Sequence, residues 1–268
     1  TQTDIALTIT GPDSVNLSKI DDGTITLTDV SNATVSNFYG NLDIKSGVKT
    51  LTTTKSVFID LDSAADLETA TLDFTNDYDP LLSTAKAALS AAGNSSTYTE
   101  TYSATGSIIA ASLKTLTITG NLLDVYLDEA NLESVTINAS IDDLTISGTT
   151  DLTSVSVPST AKMNDVTVSG ATNLGSLTLS NSNNFTAHGT TAQTSVSYSI
   201  TNNTAMTSLT TNVDDIGSLT VTGNTSLETV NFANLADFGG ATEPAVNIYG
   251  NKLTATSATD STDGDTDV

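Results

Sequence analysis

Apolar residues recur along this chain in a six-residue unit, in which an apolar residue is followed by x-x-[Leu/Val]-x-[Leu/Val/Ile]. Successive units follow one another at closely similar intervals, with one long gap between Leu174 and Met206. Two degenerate units, around Phe185 and Val196, fit inside that gap. The units begin at Leu113, Leu122, Leu132, Ile141, Leu152, Met163, Leu174, Met206, Ile216 and Leu227. Self-similarity at a nearly fixed spacing predicts a repeat architecture.

A shorter signature within the repeat, [Leu/Val]-Thr-[Ile/Val]-[Ser/Thr]-Gly, predicts a strand that ends in a turn. In Leu144-Thr145-Ile146 the two aliphatic side chains point to one side of a strand and the threonine to the other. Threonine suits the exposed side because it is β-branched, and the glycine lets the chain turn. The signature occurs at 7–11, 116–120, 144–148, 166–170 and 219–223. Weaker units beginning at Gly23 and Asn41 extend the repeat toward the start of the sequence.

Together these units predict an all-β fold, a right-handed parallel β-solenoid that is either a β-helix or a strand-rich, leucine-rich-repeat-like coil. One unit buries only a few side chains, so neighbouring coils must cover it and pair with its backbone. Two units per coil give a flattened coil of roughly 20 residues, and three give a triangular coil of roughly 30. The spacing of the units is compatible with both.

Residues 79–93 interrupt the pattern and predict one short helix, inserted over about 80–92. Asp79 suits the N-cap, Pro80 the first turn and Gly93 the C-terminal end. The stretch 94–107 predicts a polar loop or an edge strand. We expect a single solenoid domain over 1–256, followed over 257–268 by an acidic tail or linker without apolar periodicity.

The charge balance excludes several classes of protein. The chain has 31 acidic and 8 basic residues, a net charge of -23, and all of the basic residues are lysine. Nucleic-acid binding requires clustered cations, so we expect no nucleic-acid partner. No stretch approaches the roughly 20 apolar residues of a membrane helix, so we expect no membrane insertion. So dense a negative charge repels itself unless ions screen it, which favours an extracellular location at a cell surface.

The sequence predicts no catalytic site. A glycosidase needs two carboxylates positioned in a groove, whereas Glu133 and Glu228 occupy the same solvent-facing position of their repeat units. The single histidine, His188, has no nucleophile-elbow sequence near it. The absence of cysteine excludes thiolate nucleophiles and thiolate zinc sites. We therefore expect the protein not to be an enzyme.

Calcium is the one cofactor that the acidic residues suggest, because this cation prefers several carboxylate oxygens placed close together. The tail has alternating aspartates like the first part of a calcium loop, but it lacks the downstream glutamate. The alternative is surface charge that keeps the protein soluble. The candidate metal ligands are Asp142, Asp143, Asp214, Asp215, Asp263, Asp265 and Asp267.

Two resemblances suggest a function. Residues 113–121, LKTLTITGN, match L-x-x-L-x-L-x-x-N, and 216–224 nearly do; on these residues the chain resembles strand-rich leucine-rich-repeat proteins of bacterial surfaces. Its composition is acidic, free of cysteine and rich in threonine and serine, and it resembles that of bacterial surface-layer (S-layer) proteins. That resemblance implies a structural protein that assembles with itself into a lattice, with calcium bridging acidic surfaces and cell-surface polysaccharide as a possible partner.

The alternative is an adhesin or a carbohydrate- or ice-binding module that presents a threonine-rich face. The Leu-Thr-Ile-Thr segments place threonine outward once in each unit, which would form regular rows on a solenoid.

Overall fold

A computed structural model describes residues 5–20, 23–61, 63–73, 88–90, 105–108, 112–128, 131–158, 161, 163–179, 196–212, 216–232 and 245–253. These residues contain β-strands and turns but no helix, and so none of their segments is a helix that could span a membrane. The strands are β1 (Ala6–Thr10), β2 (Ser14–Ile20), β3 (Thr24–Thr28), β4 (Asn32–Ile44), β5 (Thr50–Asp60), β6 (Thr69–Asp73), β7 (Ala88–Ser90), β8 (Thr105–Ile108), β9 (Thr115–Leu127), β10 (Ser134–Ser147), β11 (Ser154–Ser156), β12 (Met163–Ser169), β13 (Ser176–Leu179), β14 (Val196–Thr201), β15 (Ser208–Thr211), β16 (Ile216–Thr222), β17 (Thr229–Phe232) and β18 (Ala245–Tyr249).

Every strand pairing among the described residues is parallel, and the strands lie on two sides of a flattened coil. The long strands β4, β5, β9 and β10 run through the bend from side 2 into side 1, so one ladder covers both sides in these coils, whereas β13, β15 and β17 of side 2 form a separate three-stranded sheet. Side 1 comprises 6–10, 24–28, 41–44, 58–60, 88–90, 105–108, 124–127, 141–147, 163–169, 196–201, 216–222 and 245–249. Side 2 comprises 14–20, 32–38, 50–56, 69–73, 115–119, 134–138, 154–156, 176–179, 208–211 and 229–232.

The register confirms the parallel β-solenoid and resolves the size of its coil. Ala6 pairs with Thr24 on side 1, and Ser14, in the strand between them, lies on side 2. Thr115 pairs in the same way with Ser134. Each coil therefore contains two repeat units, one on each side. Thr69 and Thr115 are also register partners, although they lie much further apart in the chain. The coil between them therefore contains an insertion.

The predicted helix is wrong where the structure describes it. Ala88–Ser90 form strand β7, which pairs in parallel with 58–60. Alanine and leucine have high helix propensity, but propensity is a weak constraint, and here pairing with the backbone of the neighbouring strand overrides it. Thr105–Ile108 likewise form strand β8 against 124–127, so this part of the predicted polar loop is a strand, the other interpretation of that stretch. The remainder of 79–107 and the tail 257–268 lie outside the described residues.

The core is a narrow aliphatic layer between the two sides of the coil. Ile25, Leu42 and Ile59 share one inward column of side 1, and each is at most 1 % exposed. On side 2, Leu116 and Val135 share an inward column and are fully buried. Burying one such side chain contributes about 1.5–3 kcal/mol, so the fold is stabilised by stacking many coils.

A ladder of asparagine side chains fastens the last described coils on the turn from side 1 to side 2. The backbone N–H and Nδ2 of Asn203 both donate to Oδ1 of Asn224, at 2.9 and 3.1 Å. The same two groups of Asn224 donate to Oδ1 of Asn251, at 3.1 and 3.2 Å. Each Nδ2 also donates to a carbonyl of the preceding coil, as Asn224 does to Ile200 at 2.9 Å. These amides replace hydrogen bonds that a turn would otherwise leave unmade.

The ladder does not continue toward the N-terminus. Ala171 takes the equivalent place one coil earlier, and only its backbone N–H is used, donating to Oδ1 of Asn203 at 3.0 Å. Thr149 takes the equivalent place in the coil before Ala171. It is fully buried, and its hydroxyl has no hydrogen-bond partner. The residue before each ladder asparagine has positive φ, 58° at Asn202 and 68° at Gly223, a conformation that asparagine and glycine tolerate.

We predict that Asn224→Ala lowers the free energy of unfolding by about 3 kcal/mol, because it leaves buried donors of Asn203 and the carbonyl of Ile200 unpaired. Urea denaturation measures the change. The control Asn173→Ala, at an exposed turn position, should leave stability within about 0.5 kcal/mol of the wild type. Equal stability of the two variants would contradict a structural role for the ladder.

Two threonines stand at inward, buried positions of side 2, and they differ in hydrogen bonding. Oγ1 of Thr53 accepts from the backbone N–H of Asp73 at 3.1 Å, whereas Oγ1 of Thr211 has no partner. We predict that Thr211→Val raises the free energy of unfolding by about 1 kcal/mol and that Thr53→Val lowers it. Thermal unfolding of both variants tests this, and stabilisation by both substitutions would show that the Thr53 hydrogen bond contributes nothing.

Candidate functional site

Aspartates follow one another across neighbouring coils on side 1. Asp143, one of the predicted calcium ligands, pairs in register with Asp124 on one side and with Asp165 on the other. Parallel strands are about 4.8 Å apart, so three coils place carboxylate-bearing residues at the same position; we call 124, 143 and 165 the aspartate column. Asp143 is exposed, and Oδ1 of Asp165 accepts from the backbone N–H of Ser197 at 2.9 Å.

The structure tests the calcium prediction only in part. Asp142 lies beside Asp143 in β10. Within the described residues no three acidic or histidine side chains converge as a metal site. The other candidate ligands, Asp214, Asp215, Asp263, Asp265 and Asp267, lie outside those residues. Calcium binding therefore stays a prediction.

Two outward positions of the side 2 strands form a second, chemically different surface, the hydroxyl face; Asp73 stands at the next outward position of β6, beyond these two rows. The hydroxyl face consists of two rows that run along the solenoid, one residue per coil in each row; their members are register partners from β2 to β11 and again from β13 to β17. None of its members is buried and none is charged; all are Ser, Thr or Asn. The first row is Ser14, Asn32, Thr50, Thr69, Thr115, Ser134, Ser154, Ser176, Ser208 and Thr229, and the second is Asn16, Thr34, Thr52, Thr71, Thr117, Thr136, Ser156, Thr178, Thr210 and Asn231.

The backbone fixes the spacing of this surface. Rows two residues apart on a strand are separated by about 6.6 Å, and successive coils by about 4.8 Å. The hydroxyl of Ser154 donates to that of Ser134 at 3.2 Å, so neighbouring members of a row touch across coils. The hydroxyl face is thus a regular array of donors and acceptors on the paired strands of side 2.

Charged side chains flank the hydroxyl face instead of lying on it. Just before the strands of side 2, the backbone N–H of Glu68 donates to the carbonyl of Lys49. In the same way Lys114 donates to Glu68, and Glu133 to Lys114. Residues of opposite sign therefore alternate along this turn. Nζ of Lys114 lies 3.7 Å from Oε1 of Glu133. These pairs are exposed, and such pairs contribute little to stability.

Glu133 and Glu228, the two glutamates considered as catalytic carboxylates, occupy the same solvent-facing position of their repeat units, as the sequence predicts. Glu133 and Glu228 are both exposed just before strands of side 2. Nζ of Lys252 lies 2.6 Å from Oε1 of Glu228. This hydrogen bond, together with the charge attraction, lowers the pKa of Glu228 and raises the pKa of Lys252. His188 lies outside the described residues.

Part of this surface was foreseeable from the sequence. The Thr-x-Thr segments at 50–52, 69–71 and 115–117 signal two outward rows once the coil length is known. The register that places Asp143 between Asp124 and Asp165 is not visible in the sequence, because the coils that separate these residues differ in length.

No protein-family model matches the chain, and no curated protein sequence is significantly similar to it.

Proposed function

We propose that this chain is a structural module of a microbial cell surface, and that its hydroxyl face binds an extended polysaccharide. The observation that carries the proposal is the absence of charge from both rows of side 2 in a chain with a net charge of -23. Charged residues are abundant in the flanking turns, so the composition of the chain alone does not explain a neutral face.

An extended, neutral polysaccharide suits this surface chemically. Its sugar hydroxyls are donors and acceptors, as are the serine, threonine and asparagine side chains that face it. The rows stay in register from β2 to β11 and again from β13 to β17, which favours a repeating polymer over a compact ligand. A polyanion would be repelled by the overall negative charge.

Ice is a less suitable ligand than a polysaccharide. Recognition of a crystal surface favours stiff side chains, and threonine is stiff because it is β-branched. Ser134, Ser154, Ser156, Ser176 and Ser208 occupy much of the C-terminal half of the hydroxyl face. Serine hydroxyls rotate more freely, so this half adapts to a ligand instead of imposing a rigid lattice.

We predict that the triple variant Thr71→Val, Thr117→Val and Thr136→Val binds neutral polysaccharides roughly tenfold more weakly, because valine keeps the shape of threonine but removes its hydrogen bonds. Glycan-array and polysaccharide pull-down measurements test this. The matched control carries Thr145→Val, Thr167→Val and Thr220→Val on side 1 and should bind like the wild type. Equal binding by both variants would contradict the proposal, and thermal hysteresis without polysaccharide binding would assign the face to ice.

A second candidate function, supported by the aspartate column, is an S-layer-type lattice bridged by calcium. Aspartates at one register position of successive coils repel one another, and a divalent cation shared with a neighbouring molecule would relieve that repulsion. In this interpretation side 1 forms lattice contacts, and the extracellular location supplies the calcium.

We predict that Asp143→Asn weakens calcium binding about tenfold, because it removes the central charge of the aspartate column. Calorimetry measures the affinity, and light scattering follows assembly while calcium is chelated. The control Asp151→Asn removes an exposed charge from a turn and should have no effect. Assembly that is indifferent to chelation would rule out this version of the lattice.

A further inference from the structure

Seven strands of side 2 carry both rows of the hydroxyl face without a break in register, from β2 to β11. Parallel strands are about 4.8 Å apart, so this part of the face is about 29 Å long. We call it the axial strip, because it runs along the axis of the solenoid. It comprises the members of both rows from Ser14 to Ser156.

The axial strip is much longer than it is wide. Its two rows are about 6.6 Å apart. One long edge is the turn from Lys49 to Glu133, where residues of opposite sign alternate just before the first row. At the other long edge Lys19, Asn37 and Lys55 share one register position close to the bend into side 1, with φ of 59°, 52° and 54°. A strip bounded along both sides in this way fits a chain-like ligand that lies along the solenoid axis.

Buried side chains beneath the strip hold its spacing constant. The position between the two rows points inward and is occupied by Ala33, Leu51, Ala70, Leu116 and Val135 in successive coils. Each of these side chains is at most 2 % exposed. Because the core and the strand ladder both fix this part of the backbone, the hydroxyls above it repeat once per coil at the distance between strands.

The repeat of the strip suits one class of polysaccharide. A chain of β-1,4-linked hexopyranoses is a flat, extended ribbon, and its advance per sugar is close to the spacing of the coils. Its equatorial hydroxyls project from both edges of the ribbon, where they can donate to and accept from hydroxyls in two parallel rows. An α-1,4-linked chain curls into a helix, so it would touch a straight strip at only a few sugars.

We propose that the axial strip binds one β-1,4-linked polysaccharide chain parallel to the solenoid axis, with one sugar on each of the seven strands. This inference rests on the proposed function, polysaccharide binding by the hydroxyl face, and adds the linkage and the direction of the ligand. One sugar contacts Thr69 and Thr71, and the next contacts Thr115 and Thr117. Since every coil contributes in the same way, affinity increases with each added sugar until the strip is filled.

A chain that lies across the strands is the competing arrangement. Side chains alternate across a strand, so each coil offers only two or three outward residues before the chain leaves side 2. Contact would then end after two or three sugars, at the charged edge on one side and at the bend on the other. The two directions therefore predict different dependences of affinity on the length of the oligosaccharide.

The first test measures that dependence by calorimetry on the full chain, with cello-oligosaccharides and chito-oligosaccharides of increasing length. We expect affinity to rise up to about seven sugars, one for each strand of the strip, and then to reach a plateau. Malto-oligosaccharides of the same lengths should bind roughly tenfold more weakly, since they leave hydrogen bonds unmade.

The second test interrupts the strip at one coil with the double variant Thr115→Val and Thr117→Val. Binding of an oligosaccharide that fills the strip should weaken several-fold, because its path crosses a coil without hydroxyls. Binding of a trisaccharide should hardly change, because the strands from Ser14 to Thr71 stay intact, and this retained binding shows that the variant is folded. The matched control, Thr145→Val with Thr167→Val on side 1, should bind both ligands like the wild type.

The outcomes separate this inference from the proposed function. A plateau at two or three sugars, equal affinity for malto-oligosaccharides, or equal losses for the short and the long ligand in the interrupted variant would each overturn the axial arrangement and leave polysaccharide binding in place. A chain that binds no neutral polysaccharide at all would overturn both.

Discussion

The parallel, in-register stacking of one coil on the next is the interaction on which the rest of the structure depends. A strand such as β10 gains its backbone hydrogen bonds from β9 and β12 and its apolar contacts from the same neighbours. Because side chains alternate across a strand, a slip of one residue would turn every inward aliphatic residue outward. The columns of Leu, Ile and Val therefore fix the register, and the register then fixes the position of every surface residue.

The surface features are consequences of that register. The hydroxyl face and the aspartate column each require the same kind of residue at one position in successive coils, and neither could exist in a fold with shifting strand pairs. The asparagine ladder adds a second constraint on the turn, because Asn203, Asn224 and Asn251 satisfy one another only when the coils are aligned. Where insertions lengthen a coil, as between Thr69 and Thr115, the strands on either side still meet in register.

The sequence predicted the parallel solenoid because the apolar repeat is its direct cause. It left the coil size open, since closely spaced units close equally well in pairs or in threes until pairing is seen. It predicted a helix at residues 79–93 from Ala88, Leu89 and their neighbours, because helix propensity is local and does not reveal that 88–90 can pair with the strand at 58–60. The sequence indicates only one member of the asparagine ladder. Asn224 follows a recognisable repeat unit, but Asn203 and Asn251 stand in segments that depart from the repeat. The aspartate column depends on unequal coil lengths, which only the register reveals.

The distribution of charge is the strongest constraint on function that the structure adds. A chain with 31 acidic residues keeps them off two complete rows of outward positions, although charge there would improve solubility and would prevent unwanted contacts. An outward strand face without charge is poorly protected against association, so its persistence from Ser14 to Asn231 supports the proposal that this face binds a ligand.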